Sequence, residues 1–278
     1  MRFLGILAMA SLASGACARA EAAPAEWRRV VLVELFTSEG CSSCPAAEEF
    51  LRELPALGLG RDKVVPLAFH VDYWDGLGWP DRFADRAFTA RQDWYARATR
   101  LRSPDGEAGL HGLYTPQLVV DGAVHLSGRR RPEAIRQIER AAAEAPLFRL
   151  EPVATVRGEV LDVAIEATAL ARPAGQPEPG RGLDWRLGAA VALRSARTAV
   201  THGENAGETL EEAAVVRRIS EPVPVPPRAG EKVHVRLTKP ADTAWADLDV
   251  VVFAQSHETG TIGAAVQLPA SRPAVSPR

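Results

Sequence analysis

The chain has 278 residues, of which 46% are hydrophobic and 24% are charged, and its formal net charge is -2. This composition is typical of a globular protein and excludes a fibrous or largely disordered chain. The small net charge and a pI of about 6.3 argue against generic electrostatic binding to nucleic acid or to an anionic membrane. The length suits one large domain or two small ones.

The N-terminus has the features of an export signal. Arg2 is followed by an apolar run over residues 3–13, and the small residues that follow end in Ala-Arg-Ala at 18–20. We therefore expect residues 1–20 to be a cleaved signal peptide and the protein to be secreted or periplasmic. An uncleaved anchor and a lipoprotein attached at Cys17 are the alternatives. Because a spanning helix needs about 20 apolar residues, we expect no membrane span after cleavage.

The first half of the chain alternates between strand and helix patterns. The predicted elements are strand 30–36, turn 37–40, helix 45–57, strand 64–70, helix 81–101, hairpin 117–126 with an Asp-Gly turn, and helix 132–145. The opening strand-helix-strand unit predicts two parallel strands with a right-handed crossover. We expect an α/β domain over residues 29–147.

The pattern changes near residues 147–152, beyond which short alternating segments predominate. These segments cover 153–156, 160–167, 188–193, 198–201, 215–219, 233–237, 248–254 and 262–268. Proline and glycine are dense between them. The pattern predicts an all-β, antiparallel sandwich-like domain over residues 150–268, followed by a disordered tail at 269–278.

The cysteines carry the strongest chemical signal. Removal of the signal peptide would leave Cys41 and Cys44, in a Cys-Ser-Ser-Cys motif between a buried strand and the next helix. The free N–H groups and the dipole of a helix start stabilise a thiolate, so we expect a lowered pKa for Cys41. We predict that Cys41 is exposed and nucleophilic, and that Cys44 is buried and resolves the mixed disulfide.

Two alternatives to redox chemistry remain open. A structural staple is disfavoured because closing a four-residue loop contributes only about 2 kcal/mol in the loop-entropy model. A copper or zinc site is the second alternative, with His70 and His111 completing the ligands that Cys41 and Cys44 would supply. The redox interpretation itself needs no cofactor and no metal.

A Thr-Pro dipeptide gives an independent signal, because an X-Pro bond is a candidate for a cis peptide and Thr115-Pro116 directly precedes the predicted hairpin. With the strand, Cys-x-x-Cys, helix, strand and helix before it, this order resembles the thioredoxin superfamily. The resemblance implies a thioredoxin-like N-terminal domain with Cys41 as nucleophile, Cys44 as resolving thiol and Pro116 as the cis-proline beside them. The backbone at Thr115 would pair with an extended substrate peptide.

The same resemblance implies a buried acid in the strand before the motif. Glu34 corresponds to that acid, although it lies seven residues before Cys41, one more than the usual spacing. A buried carboxylate there could move the proton of Cys44. The alternative is that Glu34 faces solvent or caps another group. The dipeptide Ser42-Ser43 matches neither the Gly-Pro pair of thioredoxins nor the Pro-His or Pro-Tyr pairs of other branches, so the direction of electron flow is not indicated.

Aromatic residues are concentrated between residues 69 and 95. The part of this segment with His70, Tyr73, Trp74 and Trp79 is predicted to be a loop after a parallel strand, where ligands of such sheets bind. We interpret it as a groove wall beside Cys41; a small core that fills the insertion is the alternative. His70 by itself also fits a hydrogen-bonded structural histidine.

Longer strings narrow the resemblance. The strings ELFTSEGCSSCP, AFHVDYWDGLGWPDRF, ARQDWY, YTPQLVVDG and HGENAGETL look like those of a bacterial family of secreted thioredoxin-like proteins of unknown function. The resemblance covers nearly the whole chain after the signal and implies fold and export, but no activity. Within the last string, residues 202–207 suit a tight turn better than a binding role.

The sequence thus predicts an exported protein that exchanges disulfides with protein or small-molecule thiols through Cys41 and Cys44. The alternative is a redox-silent binding module, or a copper- or zinc-binding chaperone that uses Cys41, Cys44 and His70.

Overall fold

The computed structural model describes residues 29–98, 100–106, 112–171, 184–228 and 230–270. The predicted signal peptide, His111 and residues 271–278 of the predicted tail lie outside these ranges.

The described residues form three helices and twelve strands. Helices are α1 (Pro45–Glu53), α2 (Arg86–Ala98) and α3 (Arg131–Ala143), with 3₁₀ turns at Asp72–Leu77 and Trp245–Asp247. Strands are β1 (Val31–Thr37), β2 (Val64–His70), β3 (Gln117–Val120), β4 (Val124–Ser127), β5 (Phe148–Arg157), β6 (Val160–Ala169), β7 (Trp185–Ala199), β8 (Thr209–Ile219), β9 (Val223–Pro224), β10 (Lys232–Thr238), β11 (Leu248–Ser256) and β12 (Ile262–Pro269).

The predicted fold class is wrong. The described residues are mostly β, with 43% strand and 19% helix, and strands from both halves of the chain form one mixed sheet. Its order is β12-β11-β7-β8-β2-β1-β3-β4, with β9 beside β7, while β10, β6 and β5 form a second sheet. An α/β thioredoxin-like domain followed by a separate β-sandwich therefore does not describe the molecule.

The two halves join where β8 lies parallel to β2. The pairing is short and centres on Ala68 and Val215. On the other side of β2, the parallel pairing with β1 extends over the whole strand, from Val64 to His70. The strand-helix-strand prediction is confirmed here, but periodicity gives no information about which distant strand covers the outer edge of β2.

The packing also crosses the predicted domain boundary. In β1 the side chains alternate between two faces, as a pleated strand requires. One face packs under α1 and α3, and the other faces α2. The second of these cores combines Phe36, Phe69 and Phe88 with Val251 and Phe253 from the C-terminal half. Both halves therefore contribute to this core, whereas the core under α1 and α3 and a third core of C-terminal strands each contain residues of one half alone.

Local elements follow the sequence closely. The hairpin of β3 and β4 has its predicted Asp-Gly turn, with positive φ at Asp121 and Gly122. Helix α2 begins at Arg86, later than predicted, and the carboxylate of Asp85 before it accepts a hydrogen bond from the N–H of Ala87, as an N-cap residue does. The predicted tail begins too early, since β12 includes Pro269 and Ala270 is buried.

No helix in the described ranges is long and apolar enough to cross a membrane.

Substitution of Gly122 by alanine is expected to destabilise the fold by about 2–5 kcal/mol. This is the sum of the cost of a left-handed backbone conformation at alanine and the cost of overpacking. Gly122 has φ +64°, and a Cβ there would lie 1.9 Å from the carbonyl oxygen of Gly260. Gly158 has a similar φ of +61° but no heavy atom within 4 Å of such a Cβ, so Gly158→Ala should cost only about 1–2 kcal/mol. Urea denaturation of both variants tests this, and equal losses would contradict the close packing of the two halves at Gly122.

Candidate functional site

A disulfide joins Cys41 and Cys44 at the start of α1. Their Cα atoms lie 5.4 Å apart, and the N–H of Cys44 donates to the carbonyl of Cys41. Cys44 is the N-cap residue of α1, and Pro45 is the first residue of the helix. Proline suits this position because the N–H that it lacks would have no partner within the helix. The sequence Cys-Ser-Ser-Cys-Pro thus forms a tight turn closed by its own sulfurs.

The predicted exposure of Cys41 is wrong. Cys41 is 1% exposed and Cys44 is fully buried, whereas Ser42 between them is exposed. The Sγ atom of Cys41 lies 3.3 Å from the hydroxyl of Ser43. Ser42 is therefore the most exposed residue of this turn, and Ser43 and Pro45 are partly exposed.

The connection between β7 and β8, residues 200–208, packs against the disulfide turn; we call it the β7–β8 loop. Its Asn205 donates hydrogen bonds to the carbonyls of Glu39 (2.8 Å) and Cys41 (3.1 Å). Its Glu204 accepts from the N–H (3.0 Å) and hydroxyl (2.7 Å) of Ser42, which lowers the pKa of that carboxyl. The loop does contain the predicted turn, but the turn also contacts the motif from the other half of the chain.

The Thr115–Pro116 peptide bond is cis and lies beside α1. A Cβ placed on Gly128 would be 2.7 Å from Cβ of Ala47 in α1 and 3.3 Å from Cβ of Pro116, so the proline packs close to the first turns of that helix. The hydroxyl of Thr115 accepts a hydrogen bond of 2.9 Å from the indole of Trp74.

Two aromatic residues of the predicted groove wall lie against the residues that precede the turn. Trp74 lies against Gly40, and the indole N–H of Trp79 donates to the carboxylate of Glu39 at 2.7 Å. Tyr73 is 38% exposed, and burial of its hydroxyl raises its pKa to about 12. The structure therefore brings Trp74 and Trp79 to the residues just before the motif, and Tyr73 and Trp74 lie in a 3₁₀ turn rather than an irregular loop.

Glu34 is not part of this group. Its carboxylate accepts hydrogen bonds from the guanidinium of Arg91 (2.6 Å) and from the hydroxyl of Tyr95, both on α2. A strand places neighbouring residues on opposite faces, so the extra residue between Glu34 and Cys41 turns this acid away from α1. Glu34 is buried in an ion pair and neither faces solvent nor contacts the disulfide turn.

His70 lies in a buried cluster of acids that the sequence did not reveal. Its Nδ1 is 2.7 Å from Oδ2 of Asp81, and its Nε2 is 3.8 Å from Oε1 of Glu212. Glu48 accepts a 2.5 Å hydrogen bond from Thr37 and completes the cluster. Burial alone lowers the pKa of His70, but the carboxyl groups of Asp81, Glu212 and Glu48 raise it to about 10.

The acids of the cluster respond to burial in different ways. Burial raises the pKa of Glu48, and it raises the pKa of Glu212 to about 8. Burial also tends to raise the pKa of Asp81, but the charge of His70 and the hydrogen bonds to the carboxylate have the larger effect, so the pKa of Asp81 is lowered. One sequence signal existed for Glu48, a charged residue on the apolar face of α1; nothing in the sequence links Glu212 of β8 to His70.

These features define a mostly β protein with a mixed sheet and a buried disulfide at a helix start. Residues 32–255 match the family model described as a protein of unknown function, DUF1223, and the chain belongs to that family. The resemblance to an uncharacterised family is confirmed, while its thioredoxin-like and secreted character is not shown. A search of the curated proteins finds no match.

Two solved structures share the fold. Protein AGR_C_4864 from Agrobacterium tumefaciens is 24% identical, with a TM-score of 0.61, and the match covers 90% of this chain and 99% of that one. HBP35 of Porphyromonas gingivalis is 14% identical, with a TM-score of 0.64, and the match covers 91% of this chain and 79% of that one. At these identities the likeness concerns the fold alone.

Proposed function

We propose that this protein is exported and exchanges disulfides with a partner molecule through Cys41 and Cys44. The observation that carries the proposal is a disulfide closed across the first turn of a helix, where backbone N–H groups and the helix dipole stabilise a thiolate. The surroundings of the turn support it: the cis-proline Pro116 packs near α1, and Thr115 before it is hydrogen-bonded to Trp74, which lies against Gly40. Export rests on the signal-like residues 1–20.

The exchange moves two electrons in two steps. A partner thiolate attacks Sγ of Cys41, the Cys41–Cys44 bond breaks, and Cys44 leaves as a thiolate that takes up a proton. A second partner thiol then attacks the partner's own sulfur in the mixed disulfide, which releases Cys41 and oxidises the partner. In the reverse direction, Cys41 attacks a partner disulfide and Cys44 resolves the product.

Burial of both cysteines adds a step before the chemistry. Because Cys41 is covered in the closed state, a partner reaches it only after the groups around the turn have moved. The β7–β8 loop is the element whose hydrogen bonds hold it to the turn, through Asn205 and Glu204. Movement of this loop therefore limits the exchange rate.

The same burial favours a second candidate, a redox-silent binding module in which the disulfide fixes the turn. In such a module the Cys41–Cys44 bond would be reduced only when the whole chain unfolds. The two candidates thus differ in one measurable quantity, the rate at which the folded protein reacts with a thiol.

Asn205→Ala is expected to accelerate reduction of the disulfide by dithiothreitol by about thirtyfold, because two hydrogen bonds of about 1 kcal/mol each no longer oppose opening. Quenching with iodoacetamide and counting the alkylated cysteines by mass gives the rate. Thr201→Ala is the matched control: among the described residues the hydroxyl of Thr201 is hydrogen-bonded to its neighbour His202 and not to the disulfide turn, so this variant should react like the unaltered protein. Reduction of every form at its rate of global unfolding would exclude the exchange function and support the redox-silent module.

A further inference from the structure

The buried cluster around His70 has the composition of a metal site. Glu48 of α1, His70 at the end of β2 and Glu212 of β8 come from three elements and are each at most 3% exposed. One ligand atom from each side chain lies within 4.8 Å of the other two. The site combines both halves of the chain, since Glu212 of β8 lies beside His70 of β2, near the pairing of the two strands at Ala68 and Val215.

Atoms in this cluster have no partner although they are buried. Nε2 of His70 and both carboxylate oxygens of Glu212 make no hydrogen bond to any of the described residues. Buried polar atoms are almost always paired, so each exception requires an explanation. A cation between Nε2 and the carboxylates would satisfy all three atoms together.

Neighbouring side chains hold His70 and Glu48 in place, as residues around a metal site hold the metal ligands. Nδ1 of His70 lies 2.7 Å from Oδ2 of Asp81, and a proton shared there leaves Nε2, which faces Glu212 at 3.8 Å, as the nitrogen that would give up its proton to bind a metal ion. Asp81 is itself held by the N–H groups of Glu39 and Phe83. Thr37 donates to one oxygen of Glu48 and fixes that carboxylate in the same way.

We propose that Glu48, His70 and Glu212 bind one divalent first-row transition-metal ion, with zinc as the expected ion. One imidazole and two carboxylates suit zinc, and three protein ligands leave one coordination position open. Two carboxylates balance the charge of a divalent ion. Ligand atoms of a tetrahedral zinc site are about 3.3 Å apart. His70 and Glu212 are 3.8 Å apart and all three ligand atoms lie within 4.8 Å of one another, so binding would draw them together by up to about 1.5 Å.

The experiment uses the full chain after removal of metal with a chelator. Zinc titration followed by elemental analysis should give one tightly bound ion per chain and a raised Tm. Glu48→Gln and Glu212→Gln should each weaken zinc binding at least tenfold. Their neighbours supply matched controls: Glu49→Gln and Glu211→Gln remove half-exposed carboxylates and should bind zinc normally.

A cysteine variant separates this site from the proposed redox function. Cys41→Ser/Cys44→Ser should bind zinc as the unaltered protein does, even if disulfide exchange is abolished or never occurs. Binding lost in this variant would overturn the proposal in favour of a site that uses the cysteines. Cobalt in the unaltered protein supplies a test that needs no variant: we expect d–d bands without a thiolate charge-transfer band. Uptake of neither zinc nor cobalt by the folded chain would also overturn the proposal.

Discussion

Replacement of Cys44 by alanine is expected to trap Cys41 in mixed disulfides. Without the second thiol, no other cysteine in the part of the chain that the structure describes can attack Sγ of Cys41 once a partner is attached, so the intermediate persists. Incubation with oxidised glutathione should add one glutathione per chain, detected by mass and reversed by dithiothreitol. Steady-state exchange between thiols and disulfides should fall to the uncatalysed rate.

The reciprocal variant makes this result specific. In Cys41→Ala the remaining Cys44 is deeper in the first turn of α1 and fully buried, so it should form the adduct much more slowly. The double serine variant reports any background reaction. Adducts on Cys44 as fast as those on Cys41, or no adduct on either cysteine while the chain stays folded, would rule out the assigned roles.

Replacement of Arg91 by methionine is expected to destabilise the protein by about 3–5 kcal/mol, because it leaves the buried Glu34 carboxylate without its cation. Arg91 also donates to Gln255 of β11, and Gln255 donates to Tyr95, so the loss affects contacts between both halves of the chain. Urea denaturation should show one transition that moves as a whole to lower urea concentration.

Two further variants separate charge from packing. Glu34→Gln combined with Arg91→Met should recover most of the lost stability, because the uncompensated charge is gone and Tyr95 still has an oxygen to donate to. Arg97→Met, on the same helix, breaks an exposed ion pair with Asp93 and should change stability by no more than about 0.5 kcal/mol. A double variant as unstable as Arg91→Met alone would show that shape, not charge, determines the effect.

The features that depend on neighbouring residues could be predicted from the sequence. The apolar run of β2, the Asp-Gly turn at Asp121 and the Cys-Ser-Ser-Cys-Pro start of α1 are local patterns, and the structure has all three. Trp74 and Trp79 could be placed near Cys41 because they follow the parallel strand beside β1. Glu34 could not be assigned correctly, because a single residue of strand register decides which face a side chain occupies.

The sequence by itself determined the hydrophobic periods, the turns and the family to which the chain belongs. The tertiary structure decided that β8 pairs with β2, that the β7–β8 loop covers Cys41, and that Glu212 meets Glu48 and His70. The physical reason is that a strand's periodicity specifies which face it buries but not which distant strand supplies its partner. The pairing depends on the packing of the whole core. It brings the β7–β8 loop onto the disulfide turn, and Cys41, which the local pattern had placed at the surface, is buried there.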